Sequence, residues 1–276
     1  MAFSINVNAS ALSALRNLNQ TSSDLQDTQT KINTGLRISS AKDNAAVFSI
    51  AQKLRSDLRG LSAVTQSLDR GISTVDVALA AASAVSDLLL EMKEKAVAAA
   101  DQGLDTTSRD ALSQDFTSLR DQITSVVNNA EFNGTNLIDG GTDAIVAITN
   151  ADATQTLTVE HQTLTLSSTN IPITSNQTIS TQDSASAAVT NITDAINNLN
   201  AALTKLGSGS TALEQSRNFT GQLQDVIEIG IGNLVDADLA KESANLQALQ
   251  VKQQLGIQAL SIANQSPQSI LALFNG

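Results

Sequence analysis

The sequence contains no cysteine, tryptophan or tyrosine, and one histidine among 276 residues. Without cysteine the chain can form no disulfide, no thiolate metal site and no thiol nucleophile. The single histidine, His161, leaves histidine-based catalysis and zinc binding short of side chains. These absences exclude most enzyme classes, because a catalytic site in this chain would depend on carboxylates alone.

Aromatic residues are also scarce, since the chain has six phenylalanines and no other aromatic side chain. A core of ordinary size must then be built from Leu, Ile, Val and Ala, which long packed helices can do. Acidic residues outnumber basic ones by 27 to 16, giving a formal charge of −11. Nucleic acid and anionic membrane surfaces would repel such a chain, so neither is an expected partner.

Neither end of the chain has the pattern of a targeting segment or a membrane span. Residues 1–15 carry no charge and lack both the basic start and the continuous apolar run of a cleaved secretory signal. From Gln253 onward the chain is again uncharged, but Gln and Asn interrupt its apolar residues too often for a membrane span. We therefore expect no membrane insertion.

Apolar periodicity predicts a mainly α fold. Residues 54–100 carry apolar side chains at alternating steps of three and four, which indicates a long heptad helix. After Gly103, the string "DTTSRDAL" offers Thr or Ser as a cap for a second amphipathic helix. A third heptad pattern over about 184–234 keeps its register through "GSGS", so we predict one continuous helix with a weak point there; a break at "GSGS" is the alternative.

The block from about 132 to 182 is the part without helical periodicity. It opens with "FNGTNLIDGG", which is rich in Asn-Gly and Asp-Gly turn signals, and continues with many Thr, Ser and β-branched residues. The strings "AIVAIT", "TLTV" and "LTL" predict short strands in this small β-hairpin region.

The two chain ends predict a pair of long helices. About thirty residues form an amphipathic N-terminal helix that stops at Gly35, and the tail from Val235 is helical by the same pattern. One helix pair cannot cover its own apolar side, so we expect identical neighbouring subunits to cover it. The subunit-packing residues predicted in this way are Leu12, Leu15, Leu18, Leu25, Ile32, Leu246, Leu249, Leu260, Ile270, Leu271, Leu273 and Phe274.

Two long strings closely resemble the terminal regions of bacterial flagellin. They are "LNQTSSDLQDTQTKINTGLRISSAKDNAAVFSIAQKLRS" and "LVDADLAKESANLQALQVKQQLGIQALSIANQSPQSILALFNG", and the resemblance covers roughly residues 1–140 and 184–276. It implies a non-enzymatic subunit that polymerises with copies of itself into the hollow helical tube of the flagellar filament. It also implies long antiparallel coiled-coil helices formed by both chain ends, and no cofactor or metal.

The same resemblance implies a division of the chain and a set of partners. Residues 1–40 with 236–276 would form the inner-tube domain, and residues 41–235 would form an outer helical domain containing the β region. The subunit would be secreted, and it would meet the flagellar export machinery, an export chaperone, the filament cap and the hook-filament junction proteins. The alternative function is that of a hook-filament junction protein. Such proteins differ from flagellin in their last residues, whereas this chain resembles flagellin through "ANQSPQSILALFNG".

Two further sets of residues are assigned by the resemblance. Arg37, Lys42 and Asp43 match family positions between the inner and outer domains, where we expect polar contacts; solvated loop charges are the alternative. In "LLEMKEKAV", Glu91 stands where flagellins recognised by an innate immune receptor have arginine, and Lys95 stands where they have an apolar residue. This departure predicts weak or absent receptor activation, with a simple solvated charged face as the alternative.

The remaining candidates are weaker. We interpret His161 as a surface or hydrogen-bonding residue without chemistry. Asp236, Asp238 and Glu242 lack the spacing of a calcium loop, and acidic residues at a helix start favour the helix dipole. The glycine-rich "IGIGN" before them, residues 229–233, follows no strand, so it is no dinucleotide site, and we interpret it as a flexible helix junction. A hydrolase using paired carboxylates has no motif to support it.

Overall fold

The computed structural model describes the backbone of residues 8–274 and the side chains of residues 8–265. Within that range the chain is mainly helical, as the sequence predicted. The helices are α1 (Ala9–Thr34), α2 (Ala45–Ala99), α3 (Thr106–Asn129), α4 (Gln182–Val235) and α5 (Leu239–Phe274). Two antiparallel hairpins lie between α3 and α4: β1 (Glu131–Phe132) with β2 (Thr135–Asn136), and β3 (Ile145–Ile148) with β4 (Thr156–Val159).

The chain divides into two compact units. The terminal unit comprises residues up to Ser56 together with those from Val226 onward, and the middle unit comprises Asp57–Asp225. The core of the middle unit combines heptad positions of α2 and α4 with side chains from α3, and Leu68, Leu89, Phe116, Ile192 and Leu199 are fully buried in it.

Helix α2 is apolar enough, by length and composition alone, to cross a membrane. Its heptad positions Leu68, Val75 and Leu89 instead lie fully buried in the core of the middle unit. Core packing therefore accounts for the apolar composition of this helix.

The helix ends use side-chain and glycine caps. Asn8 accepts a hydrogen bond from the Ala11 N–H at 3.0 Å, and α1 stops at Gly35, whose φ of 71° lies in the left-handed region that glycine tolerates. The Thr or Ser cap predicted for α3 is wrong, because Asp105 caps that helix and accepts from the Ser108 N–H at 2.9 Å. A carboxylate caps a helix N-terminus as well as a hydroxyl does. Ser108 cannot be the cap because it already lies in the first turn of α3.

Helix α4 is continuous from Gln182 to Val235. The prediction that it would run through "GSGS" is confirmed, but the prediction of a flexible junction at "IGIGN" is wrong. Ile231 and Val235 are buried in a small cluster with Ile38 and Ala51, so tertiary packing holds this glycine-rich turn helical.

The predicted strands at "AIVAIT" and "TLTV" are confirmed as β3 and β4, whereas the strand predicted at "LTL" is wrong. Leu164 is fully buried and its N–H donates to the Ile138 carbonyl at 2.8 Å, but Ser167 follows with a φ of 63°. That left-handed residue turns the chain before a ladder can extend. The "FNGT" turn is a tight hairpin with Asn133 and Gly134 both at positive φ, as its composition predicted.

Candidate subunit-packing surface

Helices α1 and α5 pack antiparallel in the terminal unit. Asn8 Nδ2 donates to the Ala263 carbonyl at 2.7 Å, and Gln253 Nε2 donates to Ser22 Oγ at 3.4 Å. Residue numbers therefore increase along α1 in the direction in which they decrease along α5. The chain ends therefore form the antiparallel pair predicted from the sequence.

Each helix of the pair presents one heptad stripe to the other. The α1 stripe consists of Ala11, Ala14, Leu18, Thr21, Leu25, Thr28 and Ile32, and the α5 stripe consists of Glu242, Leu246, Leu249, Gln253, Gly256, Leu260 and Ala263. Every member is buried or half-buried, at steps of three and four, which is the spacing of a coiled-coil seam. We call the α5 stripe the inner seam.

Helices α1 and α5 approach each other closely because small residues lie on the inner seam. A Cβ added at Gly256 would lie 3.3 Å from Leu18 Cδ1, so the glycine permits close approach of α1. On α1, the buried Thr21 hydroxyl donates to the Asn17 carbonyl at 2.8 Å, which satisfies it within its own helix. The pair is therefore close but offers little apolar volume between its helices.

The predicted packing residues remain partly open to solvent. Leu12 and Leu15 are 45% and 42% exposed, and the half-buried ones are Leu18, Leu25, Ile32, Leu246, Leu249 and Leu260. The side chains of Ile270, Leu271, Leu273 and Phe274 lie outside the described residues. Among the eight packing residues with described side chains, none is fully buried within one chain.

Helix α5 carries a second exposed apolar set that was not predicted from the sequence. Val251, Leu255 and Ile262 are 56%, 58% and 69% exposed, and Ile257 is 56% exposed. A signal was present, because α5 carries apolar residues around its whole circumference. Such a helix is normally surrounded by protein, whereas a surface helix has one polar face.

Arg37 joins the end of α1 to the end of α4 within the terminal unit. Its backbone N–H donates to the Val235 carbonyl at 2.7 Å, and its Nη2 donates to the Leu234 carbonyl at 2.8 Å. Both acceptors belong to the last turn of α4, where carbonyls lack helical partners and a cation is favoured by the helix dipole. The guanidinium therefore caps α4.

Asp43 and Lys42, the other two residues assigned with Arg37, lie in the loop that follows. The Asp43 carboxylate accepts from the backbone N–H groups of Ser40 and Ser39, each at 2.9 Å, and these bonds lower the pKa of Asp43 below its ordinary value of 3.8. Lys42 is exposed beside it. The carboxylate thus fixes the shape of its own loop.

Glu91 and Lys95 lie on α2 in the middle unit. Glu91 is exposed, whereas Lys95 Nζ forms an ion pair with Asp115 Oδ2 of α3 at 3.1 Å. The side chains of Lys95 and Asp115 are 33% and 58% exposed, so solvent screens the pair. Lys95 therefore has a structural neighbour, while Glu91 faces solvent.

The minor candidates have structural roles where the chain is described. His161 Nε2 lies 2.9 Å from the Asp139 carbonyl oxygen, and its side chain is 10% exposed. Asp238 accepts from the N–H groups of Ala240 and Lys241 at 3.0 and 3.1 Å, which caps α5. Within the described residues, no group of three or more His, Asp or Glu side chains could hold a metal ion.

Comparison with known proteins identifies similar chains. Residues 5–143 match the bacterial flagellin N-terminal helical region, and residues 189–274 match the bacterial flagellin C-terminal helical region. The chain is 50% identical to flagellin FljM of Caulobacter vibrioides over 271 residues, 98% of each sequence. It is 39% identical to a flagellin of Brucella melitensis over 282 residues, 99% of each sequence.

Solved structures share the fold at low sequence identity. A putative flagellar hook-associated protein of Vibrio parahaemolyticus superimposes with a TM-score of 0.58 at 15% identity, over 70% of this chain and all of the other. The crystal structure of Bacillus cereus flagellin gives a TM-score of 0.50 at 21% identity, over 56% of this chain and 88% of the other.

Proposed function

The chain belongs to the bacterial flagellin family, and from that membership we propose how its terminal unit builds a polymer. It is a structural subunit of the bacterial flagellar filament, the extracellular propeller of swimming cells. We propose that its role is mechanical, with torque passing along helices shared between subunits, and that this role needs no catalysis.

The observation that carries the proposed mechanism is the incomplete coverage of the α1–α5 pair. Fully burying a Leu or Ile side chain stabilises by about 1.5–3 kcal/mol, so covering the remaining half of one half-exposed residue contributes about 1 kcal/mol. Leu12 and Leu15, at 45% and 42% exposed, retain about that much uncovered surface, and the other six packing residues with described side chains retain a smaller part. Their summed burial between neighbours is large enough to offset much of the entropy cost of association.

We propose a domain assignment from the family resemblance. Residues 1–40 with 236–276 form the inner tube, and residues 41–235 form the outer domain with its small β region. The α1–α5 pairing supports the first assignment, since it brings the two chain ends together in one unit. Secretion through the flagellar export machinery, with an export chaperone, and contacts with the filament cap and the hook-filament junction proteins belong to the same proposal.

We also propose that this flagellin activates the innate immune flagellin receptor weakly or not at all. Glu91 presents a negative charge to solvent where arginine is expected from receptor-active flagellins, and such a reversal would repel a surface complementary to arginine. Purified monomer should leave receptor-bearing cells near background, and E91R, alone or with K95L, should raise the response. A strong response to the parent protein would contradict the proposal.

Electron microscopy of the purified protein tests the proposed function. Monomer added to sheared filament fragments should extend them into long hollow tubes, with mass transferred to the pellet on sedimentation. The junction-protein alternative predicts short caps that stop growing after a few subunits. Deleting the gene separates the two in cells, because loss of a short joint alone would contradict a filament subunit.

A further inference from the structure

The loop between β1 and β2 is an Asn-Gly pair, which is chemically labile in a flexible chain. Asn133 and Gly134 form this two-residue loop, since Phe132 pairs with Thr135 across it, and both loop residues are exposed. Asparagine is among the residues that limit the chemical durability of proteins. The glycine that follows has no side chain to shield its backbone nitrogen from the asparagine amide. The pair therefore has the residue types and the solvent access that deamidation requires.

Deamidation of this pair proceeds through a cyclic imide. The backbone nitrogen of Gly134 loses its proton to solvent and attacks Asn133 Cγ. A bond from this nitrogen to Cγ forms, the bond from Cγ to Nδ2 breaks, and ammonia leaves. Water then opens the imide at one of its carbonyls. Opening at Cγ gives aspartate, whereas opening at the backbone carbonyl gives isoaspartate, in which the main chain runs through the former side chain.

The folded hairpin keeps the reacting atoms apart. Asn133 and Gly134 have φ values of 52° and 83°, and two positive φ values in a two-residue hairpin loop are those of a type I′ turn. In that turn the first residue has a ψ of about +30°, which places Asn133 Cβ and Gly134 N about 150° apart around the Cα–C bond. Ring closure needs these two atoms nearly eclipsed, so the imide forms only after the hairpin opens.

We propose that Asn133 is a site of spontaneous deamidation that the folded hairpin protects, so that the chain is modified there while it is unfolded. Buried contacts beside the loop hold the hairpin closed. Asn136 is 7% exposed, its Nδ2 donates to the Val127 carbonyl at 2.7 Å, and its Oδ1 accepts from the Ile138 N–H at 2.9 Å. Opening the hairpin breaks these bonds and exposes the fully buried Leu137 and Ile138, so the open state is rare in the folded protein.

The two products differ in whether they fit the folded hairpin. Aspartate keeps the normal backbone, and Asp-Gly suits a type I′ turn as Asn-Gly does. Isoaspartate adds one methylene to the main chain inside a two-residue loop. The pairing of Phe132 with Thr135 and the position of Asn136 then cannot both be kept. An isoaspartyl chain therefore leaves the buried Asn136 amide without its partners and should lose native packing at this end of the middle unit.

Peptide mapping by mass spectrometry tests the protection. The parent protein is kept at mildly alkaline pH in buffer or in guanidinium chloride, and the mass gain from replacing NH2 by OH is located by fragmentation and followed in time. N133D supplies the standard for the aspartyl product. We expect deamidation at Asn133 to be at least about tenfold faster in guanidinium chloride. Equal rates in the two solvents, or no deamidation at Asn133 in guanidinium chloride, would overturn the proposal.

A matched pair of substitutions tests whether hairpin opening sets the rate in buffer. N136A removes the bonds to Val127 and Ile138, whereas N176A replaces an exposed asparagine in the loop before α4. N136A should raise the rate at Asn133 about tenfold, and N176A should change it by less than about twofold. Equal rates in the two variants would contradict the proposal. If circular dichroism shows N136A to be unfolded, its rate must match that of the parent in guanidinium chloride, and a slower rate is again a contradiction.

Refolding of aged protein separates the two products. Parent protein aged in guanidinium chloride is refolded and digested briefly with a protease. Isoaspartate at position 133 should be enriched in the digested fraction, and aspartate in the resistant fraction, because only the second fits the hairpin. Isoaspartate present equally in both fractions would overturn the inference that the folded hairpin excludes it.

Discussion

Two glycines in α4 allow one packing contact to be measured with an internal control. A Cβ added at Gly209 would lie 2.8 Å from Val159 Cγ1 and 2.9 Å from Val159 Cγ2, whereas a Cβ at Gly207 would meet nothing within 4 Å. Val159 is 4% exposed in β4, so it has little room to move. Gly209 therefore permits hairpin β3–β4 to lie against α4, and Gly207 does not have that role.

The two Gly→Ala substitutions should differ in stability, with only G207A stabilising. Alanine in place of helical glycine stabilises by about 1 kcal/mol, and this gain is common to both sites. At position 209 it is opposed by an overpacking cost of about 1–3 kcal/mol. G207A should thus stabilise by about 1 kcal/mol, and G209A should range from neutral to about 2 kcal/mol destabilising. The difference between the two variants measures the clash directly.

Urea unfolding of the monomer, followed by circular dichroism, provides the assay. A double-mutant cycle with V159A adds a second check, because removing the γ carbons should make G209A less costly. Equal stabilisation by G207A and G209A, with no coupling to V159A, would refute the close approach of hairpin and helix.

Three further predictions concern charged groups. D105A should lower the melting temperature at neutral pH, and D105N, which can still cap α3, should lower it less. Hydrogen bonds from Ser108 lower the pKa of Asp105 below 3.8, so the extra stability from the ionised carboxylate is fully present above that pH and is lost as pH falls through the folded-state pKa. The parent-minus-D105A difference should therefore shrink as the pH falls toward 2, to about the D105N-minus-D105A difference, and a difference that stays constant from pH 7 to pH 2 would contradict this. R37A should destabilise the terminal unit in urea by about 1 kcal/mol, because it removes the hydrogen bond from Nη2 to the Leu234 carbonyl while the backbone bond to Val235 remains. K42A should change the stability by less than about 0.5 kcal/mol, and equal effects of the two substitutions would argue against the cap. Because the middle unit has 8 basic and 20 acidic residues, hence a formal charge of −12, added salt should accelerate seeded growth of the parent protein, and growth that slows with salt would show that repulsion there does not limit assembly.

Heptad spacing predicted the long helices because their buried faces are continuous. The pattern that includes Leu68, Val75 and Leu89 repeats over many turns, and each position has the same environment. The β region was less predictable, because its short strands depend on single backbone conformations. Ser167 ends the extended segment at "LTL" because it adopts a positive φ, which a serine in the sequence does not predict.

The glycine-rich turn of α4 and the exposed apolar residues of α5 show two different limits of prediction from the sequence. Local propensity favours a break at Gly230 and Gly232, but burial of Ile231 and Val235 beside them reverses that preference. On α5, attention to the inner seam obscured these exposed residues, since Val251 and Leu255 fit no stripe facing α1. A sequence shows that a helix is apolar on two sides, but the packed pair shows which side remains exposed.

The central claim is that apolar residues left exposed by the α1–α5 pair are covered by identical neighbours. Maleimide labelling of L15C and I262C, which replace side chains 42% and 69% exposed, measures that coverage directly. The account predicts fast labelling in the monomer, at a rate near that in urea, and labelling slowed at least tenfold in the polymer. Equal rates for monomer and polymer at both positions would contradict it.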